Sequence, residues 1–161
     1  MMVEYLLALS SIVEQLLGEE CTKDIISNLK REVKDKVKDT KEPFIWHVLD
    51  VEHHRSHLPP PIKSAWLFAL REHTPSIAHC HPNSIQHTAI IEGKGKVRVG
   101  ERHEALRLFD ARDASTWYVI EKNVPHEFFP ATEMIVISFH TCLPHELVEI
   151  AYVGGRRGKY E

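Results

Sequence analysis

Three histidines have the types and spacing of ligands for a single ion. His79 and His81 are one residue apart in "HCHPNSIQHTAIIEG", and His126 follows a proline in "VPHEFF". If residues 77–81 form a strand, His79 and His81 lie on one face about 7 Å apart, and their imidazoles can converge on one ion. Three neutral imidazoles from separate strands, meeting at the mouth of a barrel, would bind a divalent metal and leave positions open for water or substrate.

The segments that must position these histidines are short, apolar and separated by turn residues. From about residue 42 we predict strands in "PFIWHVLDV", "SAWLFALRE", "SIAHCH", "IQHTAIIEG", "KVRVG", "ALRLFD", "STWYVIE", "HEFFP" and "EMIVISFHT". The run "LPPP" is a turn or spacer, because consecutive prolines cannot serve a central ladder. A glycine-assisted turn is expected at Gly93 to Gly95. Many short strands without a convincing helix between them indicate an antiparallel sandwich or barrel.

Residues 1–41 have a helical pattern instead. Apolar residues recur at three- and four-residue spacing from Leu6 to Leu16, and Gly18 stands where a helix would end. Thr22 is predicted to cap a second helix, whose apolar positions lie four apart at Ile25, Leu29, Val33 and Val37. We therefore predict an N-terminal helical extension over 1–41, used for packing or dimerisation, and a β-barrel domain over 42–161.

Composition excludes several classes of function. The chain has 161 residues and a formal net charge of -3, and its basic residues form no long block with interleaved aromatics, which argues against nucleic acid as a partner. The leucine-rich N-terminus contains Glu4 and Glu14 and falls short of 18 uninterrupted apolar residues, which argues against a membrane or signal segment. The cysteines are odd in number and widely spaced, which favours reduced thiols in a cytoplasmic protein. They are Cys21, Cys80 and Cys142.

Residues 62–142 resemble the cupin superfamily. The first cupin motif has the form HxH, three or four residues, Glu, six residues, Gly; "HCHPNSIQHTAIIEG" matches this spacing, with Gln86 in place of the acid. The proline-preceded histidine of "EKNVPHEFF" is similar to the second motif, which makes His126 the third histidine ligand. The resemblance implies a mainly β fold, the double-stranded β-helix or cupin jelly-roll barrel, with one divalent metal at its open end.

Gln86 is the departure from the cupin pattern. A carboxylate would lower the net charge of the site by one, whereas a neutral amide binds more weakly and leaves the metal a better Lewis acid. Gln86 is therefore either a fourth ligand or a donor outside the coordination shell. Among metals we favour Fe2+, although imidazoles also suit Zn2+, Ni2+, Mn2+, Cu2+ and Co2+. The alternative is that the histidines are only hydrogen-bonding groups of the core.

His140 is the candidate acid/base group. Ser138, His140 and Cys142 alternate with apolar residues in one predicted strand; if the apolar side packs against the helices, His140 faces the barrel interior beside the metal. His87 and Cys80 alternate away from the ligands, and we expect a packed or surface histidine and a core filler.

Three other features have ordinary interpretations. The cluster "VEHHRSH", with His53, His54 and His57, is predicted to be a surface loop and not a second metal patch. The tail "GGRRGKYE" is expected to be a flexible basic end, although Arg156 and Arg157 would be able to reach a substrate carboxylate or a partner subunit. Of the adjacent Trp117 and Tyr118, one is expected to line the pocket or core.

Three hypotheses for function follow. The first is an enzyme in which a three-histidine metal binds a small substrate, with dioxygenase chemistry favoured because three-histidine cupin sites occur among thiol and diketone dioxygenases. The second is a small-molecule binding or sensor module. The third is a metal-independent sugar isomerase or epimerase with a histidine acid/base pair, as in other small cupins. A homodimer is expected, because exposed sheet edges and an apolar helical pair need cover.

Overall fold

A computed structural model describes residues 2–35, 43–153 and 156–159, with side chains described as far as residue 152. The described residues form two helices followed by eleven strands. The helices are α1 (Met2–Gly18) and α2 (Glu20–Asp35). The strands are β1 (Phe44–Leu49), β2 (Ser64–Leu70), β3 (His79–Cys80), β4 (Gln86–Glu92), β5 (Gly95–Val99), β6 (Arg102–Ala105), β7 (Tyr118–Ile120), β8 (His126–Pro130), β9 (Met134–His140), β10 (Ile150–Val153) and β11 (Arg156–Lys159).

The strands form two antiparallel sheets. One sheet has five strands in the order β1-β2-β9-β4-β7, and the other has six in the order β11-β10-β3-β8-β5-β6. Strands that are neighbours in space are often distant in sequence, as in a jelly roll, and the prediction of a mainly β protein is confirmed.

The five-stranded sheet is covered on both faces. Every residue of its central strand β9 is buried. One face packs against the helices through a cluster that includes Leu9, Val13, Leu67, Ile137 and Phe139. The other face lines the barrel interior and contributes Leu70, Ile90, Tyr118, Met134 and Val136 to a separate cluster, which Val97 and Phe128 of the facing sheet complete. The helices thus share a core with the barrel, while the division into 1–41 and 42–161 stays a prediction.

The turn between β4 and β5 lies where the sequence places it, and it depends on Gly93. This residue has φ +102°, and a Cβ there would lie 2.6 Å from the carbonyl oxygen of Glu133. Because that contact is with backbone, a side chain at Gly93 would require the chain itself to move.

Several local predictions are wrong. Helix α2 begins at Glu20, so Thr22 is a buried residue within the helix and not its cap; the turn is short because the Glu19 amide donates to the Leu16 carbonyl at 3.1 Å. Most of "ALRLFD" is not a strand; the partner of β5 is the preceding segment β6, and Leu108 makes only an isolated bridge.

Part of the C-terminal segment is a strand, where we expected a flexible end. Residues 156–159 form β11, which pairs with β10, a strand that we did not predict. The side chains of Arg156 and Arg157 lie outside the described part of the structure, as does Val37. No helix within the described ranges has the length and hydropathy needed to cross a bilayer.

Candidate metal centre

The two sheets bring the predicted site residues to one end of the barrel. In the six-stranded sheet His79 of β3 lies directly opposite His126 of β8, and His81 follows β3 immediately. In the facing sheet Gln86 of β4 lies opposite His140 of β9. All five side chains line one cavity.

The three predicted metal-binding histidines form a compact cluster. The ring centroids are 4.3 Å apart for His79 and His126, 4.9 Å for His79 and His81, and 5.3 Å for His81 and His126. One nitrogen from each ring lies within 4.8 Å of the others. His81 and His126 are buried, and His79 is half-buried. The proximity follows from pairing of β3 with β8, but the role of metal ligand stays a prediction.

Each imidazole has one nitrogen bound to a backbone carbonyl. The Nδ1 atoms of His79, His81 and His126 lie 2.7, 3.0 and 3.1 Å from the carbonyl oxygens of Ile77, Val148 and Val124. A carbonyl oxygen only accepts, so Nδ1 carries the hydrogen and, in the neutral ring, Nε2 keeps its lone pair. This is the arrangement that fixes the tautomer of a metal-binding histidine.

Two of these Nε2 atoms have no hydrogen-bond partner in the protein. Those of His81 and His126 are buried and unpaired, a condition that costs about 1–3 kcal/mol for a polar atom. A divalent ion would accept both lone pairs. The donor set therefore fits a metal with an affinity for imidazole.

Burial favours the neutral form of the His81 and His126 rings. Burial, and next the proximity of His79, lower the pKa of His81 to about 4. Burial followed by His79 and His81 holds the pKa of His126 well below its ordinary value. Because only neutral imidazole binds a metal, these shifts keep the donors available in mildly acidic solution.

Gln86 faces the same cavity, but its amide nitrogen is engaged in hydrogen bonds to neighbouring hydroxyl groups. Its Nε2 donates to Thr88 Oγ1 at 2.8 Å and, more weakly, to Ser138 Oγ at 3.4 Å. The side chain also approaches His81 closely enough to raise that pKa slightly, although Nε2 of His81 has no partner at hydrogen-bond geometry. The amide oxygen Oε1 is the atom of Gln86 that would bind a metal or accept from a ligand. Its role as ligand or outer donor stays a prediction.

His140 faces the barrel interior, where the sequence predicts it. Its ring centroid is 5.0 Å from that of His81, and its Nδ1 is 2.8 Å from Ser84 Oγ. Burial, and next His81, holds its pKa well below the ordinary value. With Nδ1 engaged by Ser84, the remaining ring nitrogen is the one available to a ligand in the cavity, and the catalytic role stays a prediction.

The cavity itself is small and largely apolar. Its volume is about 40 Å³, room for an ion and roughly two or three atoms or waters at about 10–15 Å³ each. Its walls are Phe44, Phe68, Leu70, Ser76, Phe128, Val136 and Ser138 together with the four histidines, Gln86 and Glu149.

Glu149 is the lining residue that the sequence analysis missed. Its Oε1 lies 3.9 Å from Nε2 of His79. The alternation of "LVEIAYV" over 147–153 is typical of a strand and would have placed Glu149 near the sheet. This segment follows both cupin motifs and matches neither of them.

The other candidates lie outside the cavity. His87 is buried against Tyr5, with ring centroids 5.4 Å apart, and Cys80 is fully buried. Trp117 packs on the helix side and donates to Ser10 Oγ, whereas Tyr118 faces the interior cluster.

The "VEHHRSH" segment only partly matches the surface-loop prediction. His53 and His57 are exposed. His54 is buried because its Nε2 lies 2.7 Å from a carboxylate oxygen of Glu19 and ties the loop to the helices. Among the described residues these three histidines form no metal-binding group.

Comparison with known proteins identifies the fold. No protein-family model and no curated protein sequence matches the chain. Two solved structures of salicylate 1,2-dioxygenase from Pseudoaminobacter salicylatoxidans, one an adduct with gentisate, are similar to 73% and 74% of the chain with TM-scores of 0.56 and 0.57 at 13% identity. An oxalate oxidase in complex with glycolate is similar to 64% of the chain, with a TM-score of 0.49 and 15% identity.

The matches cover only part of these proteins. The chain spans about a third of the dioxygenase, 33% and 32% of its length, and 53% of the oxalate oxidase. Together with the two antiparallel sheets, the dioxygenase match confirms the predicted cupin jelly-roll fold. Identity at this level is evidence for fold alone.

Proposed function

We propose that the protein is a mononuclear non-haem metal dioxygenase that acts on a small molecule. The observation that carries the proposal is the convergence of three imidazoles whose Nδ1 atoms are all bound to backbone carbonyls, so that their Nε2 atoms serve a common ion. Fe2+ is the metal that we favour.

A bound Fe2+ would supply a Lewis acid and a site for dioxygen. His79, His81 and His126 hold the ion without adding negative charge, which favours an anionic substrate. His140 holds or releases a proton at the nitrogen that Ser84 does not engage. Gln86 orients substrate through its unused amide oxygen, and the phenylalanine walls exclude water.

The size of the cavity supports a small substrate. Its volume of about 40 Å³ admits only the reacting part of a molecule. Beside it lies a groove with Trp46 and Trp66, and Phe68 and Glu149 line both spaces. The aromatic walls of both spaces favour an aromatic ring as part of the substrate.

Oxygen uptake tests the proposal. The purified protein is loaded with Fe2+ without oxygen, then mixed with aerated buffer and a panel of small hydroxy-aromatic acids, thiols and diketones. We expect substrate-dependent consumption by the wild type and by His87→Ala, whose side chain lies outside the cavity, and none by His126→Ala. Iron-loaded wild type that consumes no oxygen with any of these compounds, or uptake that survives His126→Ala, would contradict the proposal.

Location, oligomeric state and binding partners are further parts of the proposal. We infer that the protein is a cytoplasmic homodimer with a small-molecule ligand and no nucleic-acid or membrane partner. The sequence supports this through its reduced cysteines and mixed charge. The edge strand β1 supports a second copy, because Trp46 is 55% exposed and Val48 37% exposed there.

A further inference from the structure

Glu149 lies where strand pairing directs its side chain toward the histidines. In the antiparallel pair of β3 and β10, Ala151 is opposite His79. Continuing that register by two residues places Glu149 opposite His81. Because alternate residues share a face, Glu149 and Ala151 lie on the same face as the two histidines.

The same backbone segment orients a histidine and holds Glu149. The carbonyl of Val148 accepts from Nδ1 of His81 at 3.0 Å. The amide of Val148 donates to Asn83 Oδ1 at 3.1 Å, and Asn83 Nδ2 donates to the Glu146 carbonyl at 2.5 Å. His81 and Asn83 thus hold the chain on the N-terminal side of Glu149 in place.

Glu149 is the one carboxylate among the described residues that line the cavity. Its Oε1 is 3.9 Å from Nε2 of His79, and its side chain is 32% exposed. The neighbouring acid Glu127 follows His126 on β8 and is therefore on the opposite face, where it pairs with Arg98 at 3.4 Å. Within the described residues, the ion pair of Glu149 is with His79.

We propose that Glu149 supplies the anionic ligand of the metal site, which the first motif lacks at Gln86. This inference rests on the metal binding proposed above. A carboxylate lowers the charge of a divalent site by one and adds an oxygen donor to three imidazoles. It also links metal binding to the C-terminal strands, because Glu149 immediately precedes β10.

Titration with Co2+ tests this assignment, since its visible absorption reports the ligand set. Wild type, Glu149→Gln and Glu146→Gln are each titrated, with a competing chelator to measure affinity. Glu146 is a matched control: it lies in the same segment and its carboxylate caps the Leu143 amide away from the cavity. We expect about 10–100-fold weaker binding and an altered spectrum for Glu149→Gln, and neither change for Glu146→Gln.

The outcomes separate this inference from the metal site itself. If the wild type binds no Co2+, or His126→Ala binds it fully, the three-histidine site is wrong and Glu149 has nothing to coordinate. If the wild type binds Co2+ and Glu149→Gln matches it in affinity and spectrum, only the role of Glu149 is wrong. The double variant Gln86→Glu with Glu149→Gln moves the carboxylate to the position of the first motif. Recovery of affinity by tenfold or more supports the inference that Glu149 acts through its negative charge. No recovery overturns that part of the inference.

Discussion

His81 is one of the buried histidines that make the stability of the metal-free protein depend on pH. Burial and the neighbouring His79 lower its pKa from 6.5 to about 4. The unfolded chain therefore binds a proton at this residue from about pH 6.5 downward, while the folded protein does not until about pH 4. The free energy of unfolding thus falls as the pH drops through this window. A pKa difference of about 2.5 units corresponds to about 3 kcal/mol from His81 alone.

Urea unfolding of chelator-treated protein between about pH 7 and about pH 4.5 measures this loss. The pKa values of His126 and His140 are lowered in the same direction, so the wild-type slope exceeds that of one histidine. His81→Gln should reduce the slope by up to about 1.4 kcal/mol per pH unit. His103→Gln, at an exposed position, should leave it unchanged. A free energy of unfolding that does not vary with pH, or an unchanged slope in His81→Gln, would contradict the claim that His81 destabilises the folded protein in acid.

Two further predictions concern the elements that support the site, and urea unfolding near neutral pH checks both. Gly93→Ala should cost about 2–3 kcal/mol, because its Cβ would strike the Glu133 carbonyl, whereas Gly100→Ala, at φ +60° and with only an ordinary contact to Val124 at 3.8 Å, should cost about 1 kcal/mol; equal costs would contradict this. Ser10→Ala should cost about 1–3 kcal/mol, because it leaves the buried indole N–H of Trp117 without its acceptor; an unchanged unfolding midpoint would contradict that role.

The strands of the site could be predicted because the alternation of apolar and polar residues within a short segment indicates each of them. Alternation in "HCH" and "IQHTAIIEG" places His79 and His81 on one face and starts β4 at Gln86. The interior position of His140 followed from one further fact, that the apolar face of β9 packs against the helices, which the helical pattern of the N-terminus already suggested.

The rest depends on pairing between distant segments, which local patterns do not determine. Glu149 reaches the cavity only because β10 pairs with β3 across about seventy residues of sequence. The basic tail forms β11 because β10 offers it an edge, although its composition predicts flexibility. His54 is buried because Glu19, in the helical segment, is within hydrogen-bond distance.

The three-histidine site predicts how much metal the protein binds and which variants lose it. The untagged protein is purified, offered Fe2+, Zn2+, Ni2+, Mn2+, Cu2+ or Co2+ separately, freed of loose ions, and analysed by plasma mass spectrometry beside its variants. We expect about one metal ion per protein chain for the wild type and His87→Ala, less for Gln86→Ala, and none for His126→Ala. Full occupancy in His126→Ala, or a wild type that takes up none of these metals, would contradict the three-histidine site.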